Sequence, residues 1–341
     1  MTKHLKLIIL VTWKEEGQWE LYLTLKALVA RLEILQPFFF EQPRLAFLQK
    51  FANRLSSFYV PIIALKKGKG FDAIFSWSMR MGVCFGILRR FFGATSGPKH
   101  ILRDFHINLV RKDLTYRIKL RLMKLAFPGI DYFLCTSNAE VTIYTKMFGI
   151  PSDRICFYPD SPSSHLFKNY AVLKKDYIFA YGNSDRDFDT LIRACKEPLG
   201  QVIILSQKYI PSLPLPNHIK MIRDMVSEEE LIDLILSSRL VVLPLNDYAV
   251  AAGQNTMIET MALGRPLIVT SNMATIEYAT HGDTALFFQA QDVKGLKKQI
   301  QFLMQNPETA QKMGYRAREA IRAFPDKEMA ILFNVIEQVC G

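Results

Sequence analysis

The chain lacks paired cysteines. Cys84, Cys135, Cys156, Cys195 and Cys340 are scattered, odd in number and never in a Cys-x-x-Cys arrangement. That pattern argues against a disulfide framework and for a reducing compartment. The six histidines form no His-Glu-x-x-His motif and no ligand-like cluster, so no structural metal is expected. Long apolar runs are missing too. Leu5 to Trp13 is too short to span a bilayer and is followed by Lys14, Glu15 and Glu16. No small-residue cleavage site follows it, so it is a poor signal peptide and a better buried first strand. A cytoplasmic location is expected, with a peripheral place on the inner face of a membrane left open.

What is present is apolar content and uneven charge. Half of the 341 residues are hydrophobic, enough to bury two cores rather than one. The net charge of +11 resides in the first half, and the second half is close to neutral. Arg89 to Lys124 alone carries ten basic residues against Asp104 and Asp113. Such a patch attracts an anionic surface, although a plain solvated face has the same composition.

Short apolar strands alternate with amphipathic helices throughout. In the first half, strands are expected at Leu5–Thr12, Gly70–Ser76, Ile101–Asp104, Asp131–Thr136 and Arg154–Tyr158. The leucine spacing from Gly17 to Leu35 predicts one helix. Further helices are expected at Met79–Phe92 and Leu114–Phe127, and from Ser137, where Ser137-Asn-Ala-Glu140 has the capping-box spacing. In the second half, strands are expected at Asp176–Tyr181, Gln201–Leu205, Arg239–Leu245, Pro266–Thr270 and Ala285–Phe288. A second capping box, Ser227 to Glu230, opens a helix between them. The expected fold is α/β, with two domains that each hold a parallel sheet covered on both faces. Their expected bounds are residues 1–165 and 166–322, with a terminal helix over 323–341 packing back on the first.

Ligands in open α/β sheets bind at the carboxyl ends of strands. In the second domain those ends carry Gly182-Asn-Ser-Asp-Arg-Asp187, Ser206-Gln207-Lys208 and Gly253-Gln-Asn-Thr256. Gly182, Asn183, Arg186, Gln207, Gly253, Gln254, Asn255 and Thr256 are therefore candidates for a phosphorylated ligand. Backbone N–H groups and the Arg186 guanidinium suit phosphate oxygens. Thr256-Met-Ile-Glu259 has capping-box spacing, which predicts a helix opening at Thr256 with the Glu259 carboxylate turned back to it. The same carboxylate is suited to accept both ribose hydroxyls of a nucleotide. In the first domain, His106 follows a strand and is a candidate to face a sugar, with Asp104 beside it.

The segment Gly253 to Asn272, GQNTMIETMALGRPLIVTSN, resembles the central motif of the retaining GT-B glycosyltransferases of family four. That family includes sucrose- and glycogen-synthase-like and lipopolysaccharide enzymes. VSEEELIDLILSSRLVVLPL, YGNSDRDFDTLIRA and DYFLCTSNAEVTIYTKMFGIPSDRICFYPD resemble its flanking segments, so the likeness spans about residues 131–322. It implies two Rossmann-like β/α/β domains facing an interdomain cleft, a nucleoside-diphosphate-sugar donor held by the second domain, no other cofactor, and no metal. The absent metal agrees with the absence of a DxD-like carboxylate cluster. It also implies hexosyl transfer to a hydroxyl of a glycan or lipid-linked acceptor. By resemblance, Glu259 binds ribose and Arg186 the diphosphate. Gln254, Asn255 and Thr256 line the donor, and His106 lies near the transferred sugar, so His106, Arg186 and Glu259 form the catalytic set.

One departure stands out. The family places a second glutamate eight positions before Glu259, and this chain has Ala251 there, with Asp247 nearby. Donor-sugar choice, and activity itself, hang on that position. Two other functions use the same frame: a nucleotide-sugar epimerase or hydrolase, and a non-catalytic nucleotide-binding scaffold. Nucleic-acid binding finds no motif. Membrane contact is expected through residues 89–124, where basic, aromatic and apolar side chains mix.

Overall fold

The structure is a computed structural model. It describes residues 4–14, 19–39, 46–92, 97–103, 105, 107, 113–170, 175–212, 214–246 and 252–341. The chain divides into two compact units, Met1–Tyr158 with Met329–Gly341, and Pro159–Glu328.

Unit 1 is built on six parallel strands: β1 (Lys6–Leu10), β2 (Arg31–Leu35), β3 (Ala73–Ser76), β4 (Lys99–Leu102), β5 (Tyr132–Cys135) and β6 (Ile155–Phe157). They lie in the order β2-β1-β3-β4-β5-β6. β1, β3 and β5 are almost wholly buried, as short apolar runs covered on both faces must be. The helices are α1 (Glu20–Leu28), α2 (Ala46–Lys67), α3 (Met79–Phe91), α4 (Leu114–Ala126) and α5 (Asn138–Phe148). Leu332, Val335 and Ile336, from the C-terminal helix, are buried in the same core as Leu7, Ile9, Leu25 and Tyr158.

Three local readings need correction in this unit. The helix expected from Gly17 to Leu35 ends at Leu28, and Arg31–Leu35 pairs with β1 as an edge strand. Leu32 continued the helical spacing, yet the alternation in RLEIL serves a half-covered edge. The helix α2 has no counterpart in the sequence reading. Pro61 interrupts its pattern, but the helix persists because Val60 and Ala64 are buried with Ile8, Leu10 and Phe85. At α5, Ser137 accepts from the Glu140 amide as its spacing predicts. The Glu140 carboxylate instead accepts from Thr136 and Tyr144.

Unit 2 also has six parallel strands: β7 (Tyr177–Tyr181), β8 (Gln201–Leu205), β9 (Ile219–Ile222), β10 (Leu240–Leu243), β11 (Leu267–Thr270) and β12 (Leu286–Phe288). Their order is β12-β11-β10-β7-β8-β9. The chain leaves β7 toward β8 and β9, then crosses back to β10 on the other side. The β7/β10 pair is therefore the topological switch point, where a crevice opens beyond the strand ends. The helices are α6 (Phe188–Ala194), α7 (Glu228–Ser237), α8 (Gln254–Ala262), α9 (Thr275–Tyr278), α10 (Val293–Gln305) and α11 (Pro307–Arg322). A further helix, α12 (Phe324–Cys340), follows them. Ser227 and Glu230 form the complete capping box that their spacing predicts.

Candidate functional site

β7 ends at Tyr181, and the chain turns at Gly182 with φ +123°. A Cβ there would lie 2.4–2.7 Å from the Arg186 guanidinium. Glycine thus serves twice: it takes a backbone conformation other residues avoid, and it lets Arg186 fold over its own loop. Nε of Arg186 donates to the Tyr181 carbonyl at 2.9 Å, and Nη1 to the Ser184 carbonyl at 2.6 Å. Nη2 donates to the Thr256 hydroxyl at 2.7 Å. Arg186 also forms an antiparallel bridge with Leu245, so the loops after β7 and β10 join at the switch point. Burial lowers the Arg186 pKa to about 10, which leaves it cationic at neutral pH.

The helix α8 opens differently from the sequence reading. Its N-cap is Gly253, in the left-handed region at φ +90°, and no side chain caps it. A Cβ on Gly253 would crowd Leu245 and Leu243 at 2.9 and 3.1 Å, so the turn also packs against the end of β10. Thr256 is therefore the third helical residue rather than the cap. The Thr256–Glu259 capping box does not form, because a left-handed glycine lets the helix start three residues earlier. The first-turn amides of Asn255 and Thr256 have no intrahelical acceptor, and the helix dipole adds partial positive charge there.

Released from capping, Glu259 faces Tyr181. The Tyr181 hydroxyl donates to Oε2 of Glu259 at 2.8 Å and shares its proton with the Thr256 carbonyl at 3.2 Å. Oε1 has no partner among the described residues. Burial raises the Glu259 pKa above its ordinary 4.5, and Glu228 adds to the rise. The Tyr181 bond, Arg186 and His165 oppose it. His165 itself lies 2.9 Å from Glu228.

Asn183 and Gln207 lie beside this group and are engaged with each other. The Asn183 amide donates to the Gln207 carbonyl oxygen. Its own oxygen accepts from the Ser206 hydroxyl at 3.1 Å and the Gln207 N–H at 2.9 Å. Gln207 donates onward to the Asp224 carbonyl at 3.1 Å. Both side chains thereby hold the loops after β7, β8 and β9 together. Gln254 and Thr256 are buried and Asn255 is exposed. The structure thus brings Gly182, Arg186, Gly253, Thr256 and Glu259 into one group, with Asn183 and Gln207 as its brace. His106, Asp104, Ala251 and Asp247 lie outside the described residues.

Tyr181 went unrecognised in the sequence. Its signal was a hydroxyl-bearing ring as the last residue of an apolar strand. A second unrecognised group lies at the carboxyl edge of the unit 1 sheet. Trp13, Trp19 and Trp77 stack edge-to-face at centroid distances of 4.4–6.0 Å. The Arg103 guanidinium sits 3.5 Å from the Trp77 ring centre and 5.3 Å from that of Tyr158. Trp13 and Trp77 each follow shortly after a strand, which is the signal that was available. Among the described residues, no group of three or more His, Cys, Asp or Glu is placed to hold a metal ion.

Residues 206–320, about a third of the chain, match the family model described as Glycosyl transferases group 1. Solved structures extend the likeness to nearly the whole chain. HepE of Anabaena in complex with UDP-glucose is 13% identical over 97% of this chain and 100% of that one, with a TM-score of 0.67. Sucrose-phosphate synthase of Thermosynechococcus elongatus is 14% identical over 97% and 98%, at 0.69. A glycosyltransferase of Rickettsia africae is 14% identical over 98% and 99%, at 0.66. No curated protein sequence matches the chain. Identities this low carry the fold: two Rossmann-like units of the GT-B architecture. The second unit, through residues 206–320, is related to the Glycosyl transferases group 1 family.

Proposed function

We propose that the protein is a glycosyltransferase, with unit 2 holding a nucleoside-diphosphate-sugar donor and unit 1 receiving the acceptor. The observation that carries this reading is the Arg186–Thr256 contact beside Glu259 at the β7/β10 switch point. A cation, helix first-turn amides and an open carboxylate oxygen converge there, and these are what a diphosphate and a ribose require. That HepE is solved with UDP-glucose supports the same donor class.

In this reading Glu259 accepts from the ribose hydroxyls. Arg186 and the amides of Asn255 and Thr256 receive the diphosphate. As the bond from the anomeric carbon to the phosphate oxygen breaks, negative charge grows on the diphosphate. Donors already fixed in place stabilise that charge more in the transition state than before it. Arg186 thus takes the part that a divalent cation plays elsewhere, and the reaction proceeds without metal. The family resemblance assigns retention at the anomeric carbon, a hexosyl group as cargo, and a place near that sugar for His106. A glycan or lipid-linked hydroxyl is the acceptor, and residues 89–124 are the segment assigned to an anionic membrane.

The test is a screen of nucleotide sugars, varied in base and sugar, against a membrane extract. Mass spectrometry reads both the released nucleoside diphosphate and the glycosylated product. One donor transferring with wild type and failing with Arg186→Ala supports the reading. Nucleotide release without any glycosylated product points to hydrolysis instead, and silence across the screen contradicts the proposal.

A further inference from the structure

Three helices of unit 1 hold all of the chain's excess charge. α2, α3 and α4 together carry eleven Lys and Arg and no Asp or Glu. The whole chain has a net charge of +11, so everything outside these helices sums to neutral. The same helices leave large apolar side chains in water. Phe58 is 61% exposed, Phe91 63%, Leu114 70% and Ile118 47%. A helix that merely covers a sheet buries its apolar stripe and shows a polar face. These show cations and apolar groups side by side, which marks an interaction surface.

α3 packs against α2 on one side and α4 on the other. Where the three meet, a cavity of about 760 Å³ opens. That size falls within the range of small-molecule sites. Val83 and Cys84 of α3, Phe58 of α2 and Leu122 of α4 give it apolar lining. Arg54, Arg80 and Lys119 line it as well, and among the described residues no carboxylate does. Arg54 and Arg80 have no hydrogen-bond or ion-pair partner among the described residues. Ser78, just past the carboxyl end of β3, also lines the cavity and connects it to the edge where α/β sheets take ligands.

Apolar side chains and cations lining one cavity suit a molecule with a hydrocarbon tail and an anionic head. A nucleic acid would use the cations but leave the apolar lining and the exposed phenylalanines unmatched. We propose that this cavity binds one hydrocarbon chain of a phosphate-bearing membrane lipid, with its headgroup on Arg54, Arg80 and Lys119. Phe58, Phe91, Leu114 and Ile118 then rest in the bilayer interface. Among the described residues no helix is long and apolar enough to cross a membrane, so the contact is peripheral. The proposal stands independently of sugar transfer, and its test uses neither donor nor acceptor.

The experiment sediments the full chain with phosphatidylcholine vesicles, with and without phosphatidylglycerol, and follows alkylation of Cys84 by peptide mass spectrometry. Binding is expected only with phosphatidylglycerol, weakening as salt rises, with Cys84 protected in the bound protein. Val83→Phe fills the cavity while keeping every charge. It should lose affinity by on the order of tenfold or more and abolish any difference in Cys84 labelling between free and bound protein. Arg54→Gln with Arg80→Gln replaces two exposed, unpartnered side chains and keeps the fold. It should lower affinity by on the order of tenfold or more, and Arg117→Gln with Arg121→Gln on α4 distinctly less. Equal losses from the two pairs would overturn the proposal. So would wild-type binding by a folded Val83→Phe variant, equal binding to neutral vesicles, or Cys84 labelling that vesicles leave unchanged.

Discussion

Arg186 and Thr256 lie seventy residues apart in sequence, and the guanidinium donates to the hydroxyl across 2.7 Å. This contact ties the turn after β7 to the first turn of α8. It sets a half-buried cation beside the end of a helix that is already positive. Arg186→Lys should therefore fail despite its retained charge. One ammonium on a flexible stem cannot serve the Tyr181 carbonyl, the Ser184 carbonyl and the Thr256 hydroxyl together. We expect thermal unfolding to show a loss of about 1–3 kcal/mol and donor turnover to fall at least about tenfold. Turnover equal to wild type would remove Arg186 from the site.

The Tyr181–Glu259 pair makes a separate prediction. Among the described residues, Tyr181→Phe removes the one hydroxyl that holds Oε2 of Glu259, while the Thr256 carbonyl keeps the Thr260 hydroxyl as a donor at 2.7 Å. Stability should drop by about 1–3 kcal/mol, and nucleotide affinity should fall because the carboxylate is no longer fixed. Urea unfolding and nucleotide titration on the same sample separate the two effects. Unchanged affinity in the variant would show that Glu259 needs no positioning from Tyr181.

Glu259 also sets a pH dependence with a definite sign. Its folded pKa is raised by burial, so between the unfolded value near 4.5 and the folded value the native state holds more protons. Ionised Glu259 is therefore a cost to stability, absent below about pH 4.5 and fully present above the folded pKa. Since Glu259 is not a helix cap, Glu259→Gln should be at least as stable as wild type at neutral pH. That advantage should vanish on acidification. Nucleotide affinity should run the other way, falling in wild type as pH drops through the Glu259 pKa. Unfolding curves and titrations at matched pH values check both. A Gln variant that is less stable at neutral pH would restore a structural role for the carboxylate.

Two glycines with positive φ separate backbone strain from site geometry. Gly149, at φ +66°, ends α5 with open space where a Cβ would go. Gly149→Ala should cost about 1–2 kcal/mol and leave ligand binding intact. Gly182→Ala adds a clash with the Arg186 guanidinium to its backbone strain. It should displace Arg186 and lose nucleotide affinity as well as stability. Melting curves with nucleotide titrations of both variants test this contrast, and equal behaviour of the two would contradict it.

Local chemistry was readable from the residues, and long-range contact was not. Ser227 with Glu230 and Ser137 with the Glu140 amide are decided within one turn, so spacing alone revealed them. β2 was hidden because Leu32 extends a helical rhythm that tertiary pairing with β1 overrides. β9 was hidden among the prolines of PSLPLPNHIK. α2 was hidden by Pro61, which packing tolerates. Arg186 was recognisable as a cation in a strand-end loop. Its contact with Thr256 and the Tyr181–Glu259 pair depend on β7 and α8 meeting across more than seventy residues. The lipid cavity belongs to three helices at once, and only the excess of positive charge announced it.

The most direct test is calorimetric titration of nucleoside diphosphates, one for each base, into the wild-type chain, Arg186→Ala and Glu259→Ala. We predict that at least one binds wild type, and that each substitution weakens it by about tenfold or more while the protein stays folded. A wild-type chain that binds none of them, or folded variants that bind as tightly as wild type, would contradict the assignment of this site to a nucleotide-sugar donor.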